Sequence, residues 1–454
     1  MTVKKSKKMS KSKPTTKLKA APADAVTSLP GLGKVDGVQF AGYASVHGGT
    51  GSNGAEAADE SLFYWFVGSD DYRTRPTILW TNGGPGSSSF WGFFLENGPY
   101  EIDPTGTKLT KRPTAWNNYA NYMIFEHPLS VTLSFAKDDN DVPKTVEMGI
   151  AQLYQALLNF IDLHPELAYN PIILAGESYA GTYLPLLAKA ILEGNKKSGP
   201  TKIDLRAMVL LDAWVNPMVQ MASDTTYAFA HGLISASQKN VLDETYTGPV
   251  YLSQINTAIQ NLCGCYMANI AQVKDPSFDP IYAYLNLTDT TGQFVVRQAL
   301  HVDNQTKLTE NWSKQVGKNY AHQVNDSYAG VVQELLDGGP NGGQDEDNKL
   351  LLLDGVSKLK VQVVSGLNDA KDCNFIGTGA WLDLLQGDAA LAFKAATPAQ
   401  WKVNQTVLGF VQDGGLLSWL KVLNAGHMAV MDQPELIHYI LNVLPKPDGR
   451  KPKS

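Results

Sequence analysis

The sequence predicts an α/β fold with a largely parallel sheet. Three observations carry this: short apolar runs that each end in turn residues, an amphipathic helical stretch between two of them, and a long polar helical stretch before the last two. In chain order, Gly42-Tyr43 and residues 61–67 (SLFYWFV) form an opening pair of strands joined by a Gly/Ser/Ala stretch. Residues 77–80, 122–125, 171–175, 207–211, 359–364 and 417–423 follow as buried strands. Between the 122–125 and 171–175 runs, Val146, Ile150, Leu153, Leu157 and Ile161 recur at three and four residues, the spacing of a helix lying on a sheet face. From about 217 to 330 the strand pattern stops and polar helical material dominates, as an insertion capping the sheet would read. Residues 337–348 (DGGPNGGQDEDN) are a loop by composition.

Composition bounds the function. The chain has 454 residues, 43% hydrophobic and 18% charged, enough apolar material for a sizeable core; this excludes a disordered, collagen-like or coiled-coil chain. The net charge is −6, but residues 1–20 hold eight lysines and no acid, so the tail is basic and the body acidic. Such a tail could be a nucleic-acid or anionic-membrane arm; a solvated, disordered extension is the simpler reading, and no nucleic-acid partner is expected. We therefore expect a tail over 1–34, a catalytic domain over 35–448 interrupted at about 217–330, and a second tail over 449–454. The tail has no apolar stretch of signal-peptide type, and no run of about 18 apolar residues occurs anywhere. As it stands the sequence reads as cytoplasmic and not membrane-bound, or periplasmic or secreted if a leader is missing. With three cysteines (Cys263, Cys265, Cys373) a disulfide scaffold is excluded, and the single residue between Cys263 and Cys265 makes them a poor pair, so three free thiols are expected. No Cys/His cluster has zinc-ligand spacing; neither metal nor cofactor is expected.

Three strings carry chemistry. In IILAGESYAG (172–181) an apolar strand runs into Gly176, then Ser178 between Glu177 and Tyr179, then helix formers. A tight strand-to-helix turn of this kind lifts a serine hydroxyl clear of the sheet at a helix N-terminus, and it needs small neighbours; Gly176, Ala180 and Gly181 supply them. NGGPGSSS (82–89) follows a strand, and its glycines allow backbone N–H groups to face one concavity. Alone it would be a turn or half an oxyanion hole; a phosphate loop is excluded because no lysine follows the glycines. His427 in LNAGHM follows the last strand. The order Ser178, an acid after the 359–364 strand, then His427 is that of the α/β-hydrolase triad.

With these motifs the chain resembles the serine carboxypeptidases, peptidases on the α/β-hydrolase fold. The resemblance runs from about residue 42 to 444 through WTNGGPGSSS (80–89), ENGP (96–99), WNNYAN (116–121), GESYAGTYLP (176–185), HGLIS (231–235) and GHMAVMDQPE (426–435). It implies Ser178 as nucleophile, His427 as general base, and the Gly84 and Tyr179 N–H groups as the oxyanion hole. It assigns Trp80, Asn82, Glu96 and Glu177 to the terminal carboxylate of a peptide with a free C-terminus. Two glutamates facing an anion cannot all stay ionised, so at least one must hold a proton, and recognition should be strongest in acid.

Departures from the family pattern fall at several places. The family's Gly-Asp-x-Asp is Gly366-Leu367-Asn368-Asp369 here, and Asp372 precedes Cys373 one residue late; Asp369 is the chosen triad acid and Asp372 the fallback. Leu211-Asp212-Ala213-Trp214 stands where relatives have Gly-Asn-Gly-Trp, and Glu126-His127-Pro128 replaces Glu-Ser-Pro or Asp-Gln-Pro. Ser87 replaces the usual oxyanion-loop cysteine, and the family's disulfides cannot form, which points to a reducing compartment or a lineage without them. The leading function is release of C-terminal residues through an acyl-enzyme. An acyltransferase or esterase on the same triad, or a non-catalytic binding protein on the scaffold, are the alternatives. The side-chain preference and the oligomeric state stay open.

Overall fold

The structure is a computed structural model that describes residues 22–47, 60–197, 201–274, 276–302, 308, 311–338, 358–371 and 373–443. Ten strands form the main path of one sheet: β1 (Gln39–Ser45), β2 (Glu60–Val67), β3 (Thr77–Thr81), β4 (Asn121–Phe125), β5 (Ile172–Ser178), β6 (Leu205–Ala213), β7 (Lys360–Gly366), β8 (Ala399–Val403), β9 (Thr406–Asp413) and β10 (Leu417–Val422). Their spatial order is β8-β9-β10-β7-β6-β5-β3-β4-β2-β1, and the six strands from β10 to β4 run parallel. The flanking strands are antiparallel.

The central strands are buried on both faces, which is why they read as continuous apolar runs rather than as alternation. Along β2 the two faces separate by parity: Leu62, Tyr64 and Phe66 enter one core, Phe63, Trp65 and Val67 the other. Helix α1 (Val146–Leu163) covers the first face with the five apolar residues named from its periodicity, and Thr145 caps it by accepting from Met148 N. Each such side chain removed from water contributes about 1.5–3 kcal/mol, so packing rather than propensity fixes the helix. Among the described residues, every named element between β6 and β7 is a helix. These helices do not form a separate layer: Met221, Val316, Tyr320 and Leu335 join the α1 core, while Tyr227, Ile234, Leu242, Ile255, Ile259 and Met267 make a third cluster with Ala370.

Four expectations need correction or lie elsewhere. The ordered chain starts before residue 35: Val26 and Leu29 are buried, residues Ser28–Leu29 pair with Gly33–Lys34, and Asp24 accepts the Tyr64 hydroxyl and pairs with His164 Nε2 at 2.7 Å. The basic composition had masked two core residues. The hairpin β8–β9 was missed because its faces are largely exposed; Asn404 and Gln405, with φ of 48° and 68°, make its turn. Residues 1–21, 339–357 and 444–454, with most of the expected 337–348 loop and both chain ends, lie outside the described residues.

Cys263 and Cys265 are disulfide-bonded, against the expectation of three free thiols. Gly264 between them takes a left-handed φ of 65° at the end of helix Pro249–Cys263, bringing the two Cα atoms to 5.2 Å, within disulfide range. Titrating the denatured, unreduced protein with a thiol reagent is therefore expected to find one thiol, that of buried Cys373. Three reactive thiols would show that the bridge does not form.

Candidate active site

The carboxyl ends of β3, β5, β6, β7 and β10 bring the sequence-predicted residues to one edge of the sheet. Ser178 closes β5 with a φ of 61°, a left-handed backbone that costs an L-residue about 1–3 kcal/mol, and helix α2 (Ala180–Lys196) starts two residues later. The turn closes only because its neighbours are small. A Cβ on Gly176 would lie 2.3 Å from Thr81 O, and one on Gly181 2.7 Å from Trp214 O.

The glycine-rich loop after β3 lies against this elbow. A Cβ on Gly83 would stand 2.2 Å from Tyr179 N, so the backbone carrying Gly84 meets the residue after Ser178 with no side chain between. Gly84 has a φ of 112°, and the Gly84-Pro85 bond is cis. Behind the loop, Ser88 Oγ donates to Glu126 Oε2 at 2.6 Å and Gly86 N to the Tyr183 hydroxyl at 3.2 Å. Glu126, pushed up to about 7 by burial, thus anchors the loop in a place where the sequence showed only an altered tripeptide. Its neighbour His127 is buried against the Tyr183 ring and kept neutral, its pKa lowered to about 3 by burial.

His427 follows β10, and its Nδ1 lies 2.8 Å from Asp369 Oδ2. Asp369 is fully buried on the turn after β7, and its other oxygen accepts from Lys371 N at 2.9 Å. His427 N donates to Ala268 O at 2.6 Å, which ties the histidine loop to the helical insertion. Asp372 lies outside the described residues.

Beside Ser178 a closed polar network is buried. Asn82 uses all its capacity: Oδ1 accepts from Trp80 Nε1 at 2.9 Å and Gly92 N at 3.0 Å, while Nδ2 donates to Glu96 Oε1 at 3.2 Å and Glu177 Oε1 at 2.8 Å. The outer oxygens, Glu96 Oε2 and Glu177 Oε2, are buried and receive no amide or hydroxyl donor, and the two carboxyl groups interact with each other. Burial pushes Glu96 up to about 7, against hydrogen bonds from Asn82 and Glu177 and the charge of His427, which places the histidine in the same field. Glu177 is raised well above the usual carboxylate range by burial and then by Glu96, so the two carboxyl groups titrate as a pair that holds a proton between them. Arg112, whose charge also reaches Glu96, spends its donors on Phe94 O, Gly98 O and Glu101 rather than on the network. Among the described residues no group of three or more His, Cys, Asp or Glu is placed to hold a metal.

Comparison with known proteins decides what this arrangement is. A family model described as serine carboxypeptidase matches residues 30–342 and 346–444. The chain belongs to the serine carboxypeptidase family. Among its relatives are the venom serine carboxypeptidase of Apis mellifera, 28% identical over 421 residues (87% of this chain, 82% of the relative), and serine carboxypeptidase 3 of Hordeum vulgare, 28% identical over 430 residues (90% and 78%). The fold matches that of a prohormone-processing carboxypeptidase from Saccharomyces cerevisiae with a TM-score of 0.74 at 21% identity, covering 94% of this chain and 97% of that one. It is an α/β-hydrolase fold, and the protein is a serine-type carboxypeptidase whose family acts on peptides.

In this carboxypeptidase the sequence reading missed two glycines that the site requires. A Cβ on Gly92 would stand 2.0 Å from Trp80 Nε1, so only glycine lets the indole reach Asn82, and Gly83 plays the same part beneath Tyr179. Gly83 lies inside the 80–89 motif and Gly92 between it and ENGP; neither shows its contact until β3, β5 and the 92–96 helix are assembled. Trp116 of WNNYAN packs edge-on against Trp80 at 5.4 Å, which explains that motif as support for the carboxypeptidase network. No helix among the described residues is long and apolar enough to cross a membrane.

Proposed function

We propose that this carboxypeptidase releases single residues from free peptide C-termini through an acyl-enzyme, and that it does so best in acid. Ser178 attacks the last peptide carbonyl while His427 Nε2 takes its proton; Asp369, on Nδ1, fixes the tautomer and stabilises the imidazolium. The Gly84 and Tyr179 N–H groups receive the oxyanion. His427 then protonates the leaving amine, and water releases the acyl group by the same steps in reverse. One observation carries the reading of the C-terminus: two buried carboxyl groups sharing Asn82 beside the nucleophile, Glu96 pushed up to about 7 and Glu177 raised well above the usual carboxylate range. Protonated, they donate to the substrate carboxylate; ionised, they repel it.

The test is the pH dependence of KM for matched free-acid and amide peptides between pH 4 and 8. For the acid substrate KM is expected to rise as pH climbs through about 7, whereas the amide, which has no carboxylate to share a proton with, binds poorly throughout and loses less. Replacing Glu96 and Glu177 together by glutamine keeps donors but removes the titration, and should flatten the acid-substrate profile. Parallel profiles for the two substrates in the unmodified enzyme would overturn the carboxylate reading.

A further inference from the structure

We propose that Asp212 is a positioning residue of the reaction: lodged where β5, β6 and β7 end, it sets the Asp369 turn through Gly366. The inference rests on the Ser178–His427–Asp369 reading, not on recognition of the substrate carboxylate. In the β5–β6 pairing Glu177 faces Leu211 and Ser178 faces Ala213, so Asp212 is an extra residue, a bulge beside the nucleophile. Its backbone is left-handed, with a φ of 40°, and the bulge turns its side chain into the sheet edge. There Oδ1 accepts from Gly366 N at 2.8 Å, and Oδ2 is buried with no hydrogen-bond partner.

Gly366 has no room to move independently. A Cβ on it would stand 2.1 Å from Gly426 O and 2.6 Å from Ala425 O, the residues just before His427. Asp369 N bonds back to Gly366 O, and Asn368 N bonds to Ala425 O at 2.8 Å. A displacement of Gly366 therefore shifts the acid and the histidine against each other.

Charge decides whether Asp212 can hold this place. The groups that face it are Asp369 from the turn after β7, Asp432 from the helix after His427, Glu96, Glu177 at the end of β5, and Tyr227, whose hydroxyl donates to Leu367 O at 2.7 Å. These are acids and a phenol, and none of them is a cation. A buried carboxylate with one hydrogen bond in such company sheds its charge, and burial followed by the charge of Asp369 holds the group well above the usual carboxylate range. Below its ionisation Asp212 braces the turn; above it, repulsion from Asp369 drives Gly366 and the turn away from His427.

The readout is the second-order rate of Ser178 labelling by a serine-directed phosphonate between pH 5 and 10, which needs the triad but no peptide recognition. The unmodified protein is expected to lose labelling rate on an alkaline limb. Asp212→Asn, which imitates the neutral acid, should slow labelling only a few-fold at pH 6 and abolish that limb; Asp212→Ala should slow it at least tenfold at every pH. Thermal melts and circular dichroism identify any variant that fails to fold, and Asp212→Asn alone then decides. Superimposable limbs in Asp212→Asn and the unmodified protein, or an Asp212→Ala rate equal to the unmodified one, would overturn the proposal. Labelling with normal Asp212 behaviour but no C-terminal hydrolysis would instead fail the proposed function and leave this inference supported.

Discussion

Ser178→Ala is expected to lower kcat for C-terminal hydrolysis by about 10⁶ and to abolish phosphonate labelling, with the thermal midpoint little changed. The size follows from the unit nature of the catalytic machinery: without the hydroxyl, His427 has no proton to take and Asp369 no imidazolium to stabilise, and only binding and the oxyanion amides remain. Stability should survive because the elbow is built by its neighbours. Gly176 against Thr81 O, Gly181 against Trp214 O and the Trp214 N bond to Ser178 O at 2.8 Å persist when one oxygen is removed. Mass spectrometry of a peptide mixture, looking for C-terminal ladders, checks the loss. Ladders formed at the unmodified rate by Ser178→Ala would end the hydrolase reading.

The second large effect is expected at Asp369. Asp369→Asn should reduce kcat by about 10⁴ with little change in KM, since an amide facing His427 Nδ1 favours the tautomer whose Nε2 carries the proton and cannot accept one from Ser178. Asp372→Asn, the alternative acid by sequence, is expected to stay within a few-fold. Comparing kcat for the two variants against one peptide substrate settles the assignment. A large loss at Asp372 alone would mean that the pairing at 2.8 Å between Asp369 and His427 is not the one used in turnover.

Sheet strands β3 to β7 and β10 and the helix α1 were legible in the sequence because elements buried on two faces, or on one regular stripe, leave a periodic signal in the residues themselves. The Ser178 turn, and the order of Ser178, a later acid and His427, were legible in another way, through local strings whose small residues are dictated by a tight turn and through the order of parallel strands; the choice of Asp369 over Asp372 came only from the family resemblance. The hairpin β8–β9 was not, because a mostly exposed strand pair needs no distinctive apolar pattern. Nor was the start of the folded chain, where Val26 and Leu29 follow a lysine-rich run that dominates the local composition.

By itself the sequence determined the fold class, the tight strand-to-helix turn at Ser178 and the identities of the residues at the sheet edge, since these depend on local sterics and on hydrophobic periodicity. Only the tertiary structure decided which of those residues share a field: that Asp369 meets His427, that Asn82 joins Glu96 to Glu177, that Gly264 lets Cys263 reach Cys265, and that Asp212 fills a bulge against Gly366. The physical reason is that protonation and hydrogen bonding in a buried site are set by distance and desolvation. Both arise between segments far apart in the chain, so they exist only once the strands have been brought side by side.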